Sequence, residues 1–248
     1  MANKNLYLPI VLMLLSGSAI AADGFSATTG IDYSNGKYGQ SSSTTTWDVP
    51  VLLKYIQGPL TLKLNIPYIR TTGTVNRDTS SSVSTTRRTE MGLGDVVIGG
   101  FYDVIQGNDY GIDLGVKIKF ATADKSKTLI TTGENDYFLQ SDAYKSFGKI
   151  TALGTLGWTK KGDTATTNFR DPWYGSVGAS YKLDDNDSFG VLYDYRQKVT
   201  KRGDIRSEVT AFLVHKFDKH WKLQAYALGG FSDASPDVGG GAMVGYSF

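Results

Sequence analysis

Charged residues stand at every second position between apolar ones along much of this chain, and they are the side chains that can do chemistry. Asp113, Lys117 and Lys119 alternate with Ile112, Leu114, Val116, Ile118 and Phe120. Asp194 and Arg196 flank Tyr195, with Lys198 two residues further on, and Asp136 precedes Tyr137. In an extended chain alternate residues share a face, so each such segment carries a charged face and an apolar one. Carboxylates and ammonium groups on a common face either neutralise one another or meet a polar solute. Asp95, Asp113, Lys117, Lys119, Asp136, Asp194, Arg196 and Lys198 are the candidate positions for such contact.

Acid–base or nucleophilic catalysis finds little to work with. A hydrolase needs a histidine-type base beside a nucleophile. The only histidines are His215 and His220, and neither neighbours a serine in a hydrolase-like spacing. The run Asp184-Asp185-Asn186-Asp187 lacks the glycine and distant glutamate of a calcium loop and reads as a turn. With no cysteine there is no disulfide framework and no lipid-modified amino terminus. No catalytic, cofactor-binding or metal-ligating residue is assigned, and the chain reads as a non-enzyme.

The elements that would position the charges are strands throughout. Twelve segments of period two run from Phe25 to Phe248, and none is convincingly helical. Short connections (Gln57-Gly58-Pro59, Gln106 to Asp109, Phe147-Gly148-Lys149, Asp184 to Asp187, Asp218-Lys219-His220) alternate with longer polar ones (Ser34 to Thr45, Thr71 to Met91, Thr122 to Glu134, Lys160 to Arg170, and two around Arg202-Gly203-Asp204 and Ser235-Pro236-Asp237). Aromatics such as Tyr33, Trp47, Trp158, Trp173, Trp221 and Phe248 sit near segment ends on the apolar side. These features together predict an all-β, 12-stranded antiparallel transmembrane β-barrel of the outer membrane, with short periplasmic turns and longer extracellular loops. A secreted β-sandwich would also alternate, but its strands are shorter and its apolar face needs no aromatic girdles.

Both ends of the chain fit this reading. Residues 1–21 have the pattern of a secretory signal peptide: Lys4, an apolar stretch from Leu6 to Leu15, and Ala19-Ile20-Ala21 at the cut. Residues 22–248 then form a single barrel domain. The ending Ala242-Met243-Val244-Gly245-Tyr246-Ser247-Phe248 resembles the terminal signal read by the barrel-assembly machinery, which is the expected partner of the Phe248 strand. Outer-membrane lipid and lipopolysaccharide are the other expected partners, together with a small-molecule solute. Removing the leader takes Lys4 from the 26 basic residues and leaves a net charge of about +1 against 24 acidic ones, with no basic face for nucleic acid.

Charges facing hydrocarbon are expensive, so the charged parity must line the lumen. Beyond the eight candidates, that set holds Asp48, Lys54, Lys63, Asp103, Gln140, Asp142, Lys182, Glu208, Lys216 and Lys222. Both signs are mixed, without a run of one sign along neighbouring strands, and cross-lumen pairing is the favoured state for most. Lys117, Lys119, Arg196 and Lys198 lie towards the outer mouth, where water enters. Twelve strands enclose less than the 16 to 18 of a general porin, so the interior is either a narrow passage or filled by side chains. Thr71 to Met91, rich in Ser and Thr with Arg77, Arg87 and Arg88, fits an inward-folded loop or an exposed, mouth-lining one.

Two stretches carry a more specific likeness. Gly92-Leu93-Gly94-Asp95-Val96-Val97-Ile98-Gly99 opens the fourth segment, and Gly115 to Thr122 leads into a loop that ends Thr131-Thr132-Gly133-Glu134-Asn135-Asp136-Tyr137. These resemble the outer-membrane "transporter" family named for the meta-pathway of phenol degradation, over residues 90 to 160. Ala121-Thr122-Ala123 departs from that family's Pro-Thr-Gly form. The resemblance implies passive passage of small solutes, aromatic or hydrophobic compounds among them. The competing expectation is a closed structural barrel acting on its surroundings through its extracellular loops.

Overall fold

The computed structural model describes residues 23–79 and 82–248, with backbone only for 76–79 and 82–85. The expected leader lies outside the described residues. Thirteen strands follow one another: β1 (Gly24–Gly36), β2 (Thr44–Gln57), β3 (Leu60–Thr79), β4 (Ser82–Leu93), β5 (Val96–Gln106), β6 (Tyr110–Phe120), β7 (Asp136–Phe147), β8 (Ile150–Lys160), β9 (Trp173–Lys182), β10 (Asp187–Arg196), β11 (Arg206–Lys216), β12 (Trp221–Gly230) and β13 (Val238–Ser247). They make twelve staves, because β4 and β5 share one. The first half of β3 pairs with β5, from Leu60↔Tyr102 to Asn65↔Val97. Its second half pairs with β4, from Tyr68↔Leu93 to Thr79↔Ser82. Antiparallel pairing of β1 with β13 closes the barrel.

Residues 71–79 and 82–91 are therefore strand where the sequence reads as loop. β3 has 20 residues, a length of about 65 Å, whereas roughly 9–11 tilted residues cross a bilayer. The β3–β4 hairpin stands well clear of the barrel rim. Its Ser/Thr-rich composition hides it from periodicity, since a run of polar β-branched residues has no apolar phase to detect. At the opposite end the five short turns fall where the sequence places them, and Gly58 and Gly148 adopt the positive φ (53° and 65°) that two of those tight turns require.

The outward face is an apolar belt. Leu62, Leu114, Val116, Leu139, Leu156, Val177 and Leu213 all point out, with Val177 62 % exposed. Such a continuous exposed apolar surface is stable only against hydrocarbon. Aromatic contacts close its margins, with Tyr33 against Trp47 at 4.7 Å and Trp221 against Tyr246 at 4.8 Å between centroids. Phe248 packs on Phe25 at 5.4 Å, and its N–H donates to the Phe25 carbonyl at 2.9 Å, so the last residue is fixed into the closing seam.

Candidate lumen site

Aromatic side chains share the lumen face with the charged ones, and they lie against glycines. Five times an inward-facing glycine stands directly opposite an aromatic on the next strand: Gly115↔Phe101, Gly157↔Tyr174, Gly190↔Phe212, Gly241↔Tyr226 and Gly111↔Tyr144. A Cβ at Gly115 or Gly157 would come within 2.2 Å of the ring it faces. Each ring thus packs directly on the backbone of the neighbouring strand. On the β10–β13 side Leu192, Phe212, Tyr226 and Met243 form a buried cluster, supported by Leu153, Val214 and Leu228. Sequence reasoning missed this apolar plug because those four residues sit in the polar parity.

The charged residues fall into two kinds of arrangement. In the outer half of the β5–β8 wall they are paired. Asp95 occupies the break between β4 and β5, where it accepts from Lys119 Nζ at 2.8 Å, from Thr131 Oγ1 at 2.8 Å and from the Ala123 N–H at 3.2 Å. Lys119 also donates to the Glu134 carbonyl at 2.8 Å and lies 3.5 Å from Asp136. Asp136 in turn accepts from Lys161 at 2.6 Å and from the Gly162 N–H at 3.1 Å. Lys117 donates to Gln140 Oε1 at 2.6 Å, an oxygen shared with the Tyr174 hydroxyl at 2.8 Å, beneath the Phe138 and Tyr174 rings.

This cluster ties down the segment between β6 and β7. Glu90 of β4 accepts from the Leu129 N–H at 2.7 Å, and Lys127 donates to the Met91 carbonyl at 2.8 Å. Ala123, Ile130 and Thr131 are buried as a result. The segment that packs at the mouth is thus 121–135, and the β3–β4 hairpin is the wall it packs on.

Elsewhere like charges face like. Asp103, Asp113 and Asp142 stand in register across β5, β6 and β7. Asp32 opposes Asp48, Asp194 opposes Glu208, and Arg196 opposes Arg206. At the periplasmic end Lys54 opposes Lys63 and Lys216 opposes Lys222. The mixed lumen expected from the sequence is in fact sorted into rows of one sign, which only cross-strand register could reveal. Arg206 answers Glu208 with two bonds of 2.5 and 2.6 Å. Both Asp194 oxygens and Asp48 Oδ1 are buried without a hydrogen-bond partner.

Of the eight sequence candidates, Asp95, Lys117, Lys119 and Asp136 come together on one wall, Asp113 joins the acidic row, and Asp194 and Arg196 lie on β10. Lys198 does not face the lumen: β10 ends at Arg196, so alternation stops there and the side chain is exposed beyond the rim. Asp32 and Arg206 were missed, although each lies two residues or less from a recognised inward position or an apolar neighbour of known phase. At the periplasmic ends of the strands, His215 meets Asp187 at 2.8 Å and His220 meets the Ser247 carbonyl at 2.7 Å. In the turns, N–H donors from Asn186 and Asp187 hold the Asp184 carboxyl below its ordinary value, and those of Trp221 and His220 do the same for Asp218. Among the described residues no group of His, Asp or Glu has the geometry to hold a metal ion.

No family model matches the chain, and no curated protein matches it. Solved structures do. The COG4313 outer membrane channel from Pseudomonas putida F1 superposes with a TM-score of 0.71 at 13 % identity, over 93 % of this chain and 97 % of that one. The KdgM porin gives 0.61 at 12 % identity, over 90 % and 99 %. The toluene transporter TodX of P. putida gives 0.54 at 10 % identity, over 92 % and 91 %. At these identities the likeness is one of fold, and the fold is a closed 12-stranded antiparallel barrel of the kind those outer-membrane proteins share.

Proposed function

We propose that this chain is an outer-membrane channel through which small solutes pass passively, non-catalytic and delivered by cleavage of residues 1–21. The observation that carries the reading is the lumen itself: rows of like charge line a barrel whose outside is apolar. Like charges placed directly opposite one another are destabilising, so a purely structural interior would not be built that way. Of the sequence candidates, Asp113, Asp194 and Arg196 are the lumen contacts we assign to the solute. Asp95, Lys117, Lys119 and Asp136 have their bonds filled and shape the mouth. Likeness in fold to an outer membrane channel and a porin supports the same reading, and likeness to a toluene transporter supports an aromatic or hydrophobic cargo.

The membrane setting brings lipid and lipopolysaccharide against the apolar belt. We assign Phe248 and the strand before it to recognition by the barrel-assembly machinery. A second reading, the closed barrel, draws on the plug of Leu192, Phe212, Tyr226 and Met243. Planar-bilayer recording of the refolded mature chain separates the two. Discrete conductance steps that one solute class blocks establish the channel. A silent bilayer from demonstrably folded protein leaves the closed barrel.

A further inference from the structure

The outer half of the lumen contains acceptors that lack donors. Asp32 and Asp48 face each other across β1 and β2, and Asp194 and Glu208 across β10 and β11. The two pairs are not remote: Asp32 and Asp194 each lie within electrostatic reach of both Arg206 and Glu208. The wall between them is made by β12 and β13, where the Leu228 and Tyr226 side chains lie over Gly239 and Gly241. Four carboxylates, Asp32, Asp48, Asp194 and Glu208, thus border this recess of the outer lumen with Arg206 and its cross-strand neighbour Arg196, two guanidiniums for four acids.

Hydrogen bonding points the same way. Arg206 spends two donors on Glu208. Both Asp194 oxygens and Asp48 Oδ1 receive none, at 3 % exposure for each residue. Two further groups bordering the recess are also unpartnered: the Thr210 hydroxyl, fully buried two residues along from Glu208, and the Tyr226 hydroxyl opposite Gly241. Leaving a buried polar atom unmatched is destabilising, and three carboxylate oxygens without a donor mark a missing one. A guanidinium offers five N–H donors in a plane and an ammonium three, with no acceptor to waste.

We infer that the recess between β1–β2 and β10–β11 is a binding site for an organic cation, an alkylguanidinium or alkylammonium, held by Asp32, Asp48 and Asp194. The resident Arg206 shows the geometry such a group takes against Glu208. A bare metal ion is the wrong ligand, since the acidic groups do not converge closely enough to chelate one. Leu192 (opposite Thr210) and the Tyr226 ring, both of the plug, give the short alkyl part an apolar floor. The site requires only access from the outer mouth, so it stands whether or not the barrel conducts.

The test is calorimetric titration of the refolded full-length mature barrel in detergent, with butylguanidinium and with its neutral isostere butylurea. Butylguanidinium is expected to bind at least tenfold more tightly. The double variant Asp48→Asn, Asp194→Asn is expected to weaken butylguanidinium at least tenfold and leave butylurea unchanged. Asp184→Asn, in a turn at the opposite end of the barrel, is expected to change neither. Heat-modifiable gel mobility reports that each variant is folded, and the single variant Asp194→Asn, expected to lose several-fold, serves if the double one is not. Equal binding of the two ligands, no binding to the folded wild type, an unaffected double variant, or magnesium displacing butylguanidinium at equal concentration would each overturn the site. Parallel bilayer recordings keep the two readings apart: conduction without binding removes the recess alone, and binding without conduction removes the channel alone.

Discussion

The two sides of the lumen solve the problem of interior charge in opposite ways. On the β5–β8 side Asp95, Lys119, Asp136 and Lys161 form a closed relay in which each charge meets its opposite. Around β10–β11 and β1–β2 carboxylate faces carboxylate and oxygens stay unpartnered. Removing charges from water is costly, and the cost is recovered only when partners and hydrogen bonds are complete. The first side therefore has the character of scaffold. The second gives up stability locally, and such departures collect where a ligand completes the arrangement.

Breaking the scaffold should cost most. Lys119→Met takes away the ammonium on Asp95 and leaves Asp136 only Lys161, and it is expected to remove about 3 kcal/mol, the lower end of the scale for breaking a buried pair, read as the urea midpoint of the barrel refolded in vesicles. It should also free residues 121–135 and make open-channel current noisier. Next comes Gly115→Ala, whose methyl would overlap the Phe101 ring. Overpacking of this kind costs about 1–3 kcal/mol, and the double variant Gly115→Ala, Phe101→Ala should recover part of the loss in the same assay.

The functional side should answer differently. Asp48→Asn with Asp194→Asn removes like-charge repulsion, so stability is expected to hold or rise by up to about 1 kcal/mol. Reversal potentials across a potassium chloride gradient should meanwhile move towards anion selectivity. A loss of stability as large as that of Lys119→Met would erase the distinction between the two sides.

The smallest effect lies outside the membrane. Amide donors from Trp221 and His220 hold the Asp218 carboxyl below its ordinary 3.8. Its depressed folded pKa means that its stabilisation is present above 3.8 and is lost as pH falls through the folded value. Asp218→Asn should lie slightly below wild type at pH 7 and converge with it in strong acid, in unfolding midpoints taken at both.

The sequence shows the staves clearly, because period two and turn residues are local signals and lipid forces apolar residues outward. Parity alone separates Asp113 and Asp194 from Leu114 and Tyr195. Whether Asp194 meets Glu208 or a lysine depends on register, and register is fixed by turn geometry and by pairing between distant strands. The plug was hidden for a related reason. Phe212 and Met243 lie between outward-facing Ala211, Leu213, Ala242 and Val244, so both faces are apolar there and the alternation carries no phase. Lys198 shows the converse, a parity carried two residues past the end of its strand.

The rings that rest on glycines bear on how this barrel can change over generations. At each of the five sites a side chain added to the glycine collides with the ring, while loss of the ring bares a gap in the wall. Either substitution alone is a step down, and both together can be level ground. Such couples should be inherited as units, exchanging size across the strand boundary (large on one stave, small on the next) while lumen charges drift more freely. A library that randomises the interior one position at a time would reject at these sites many variants that a paired library keeps.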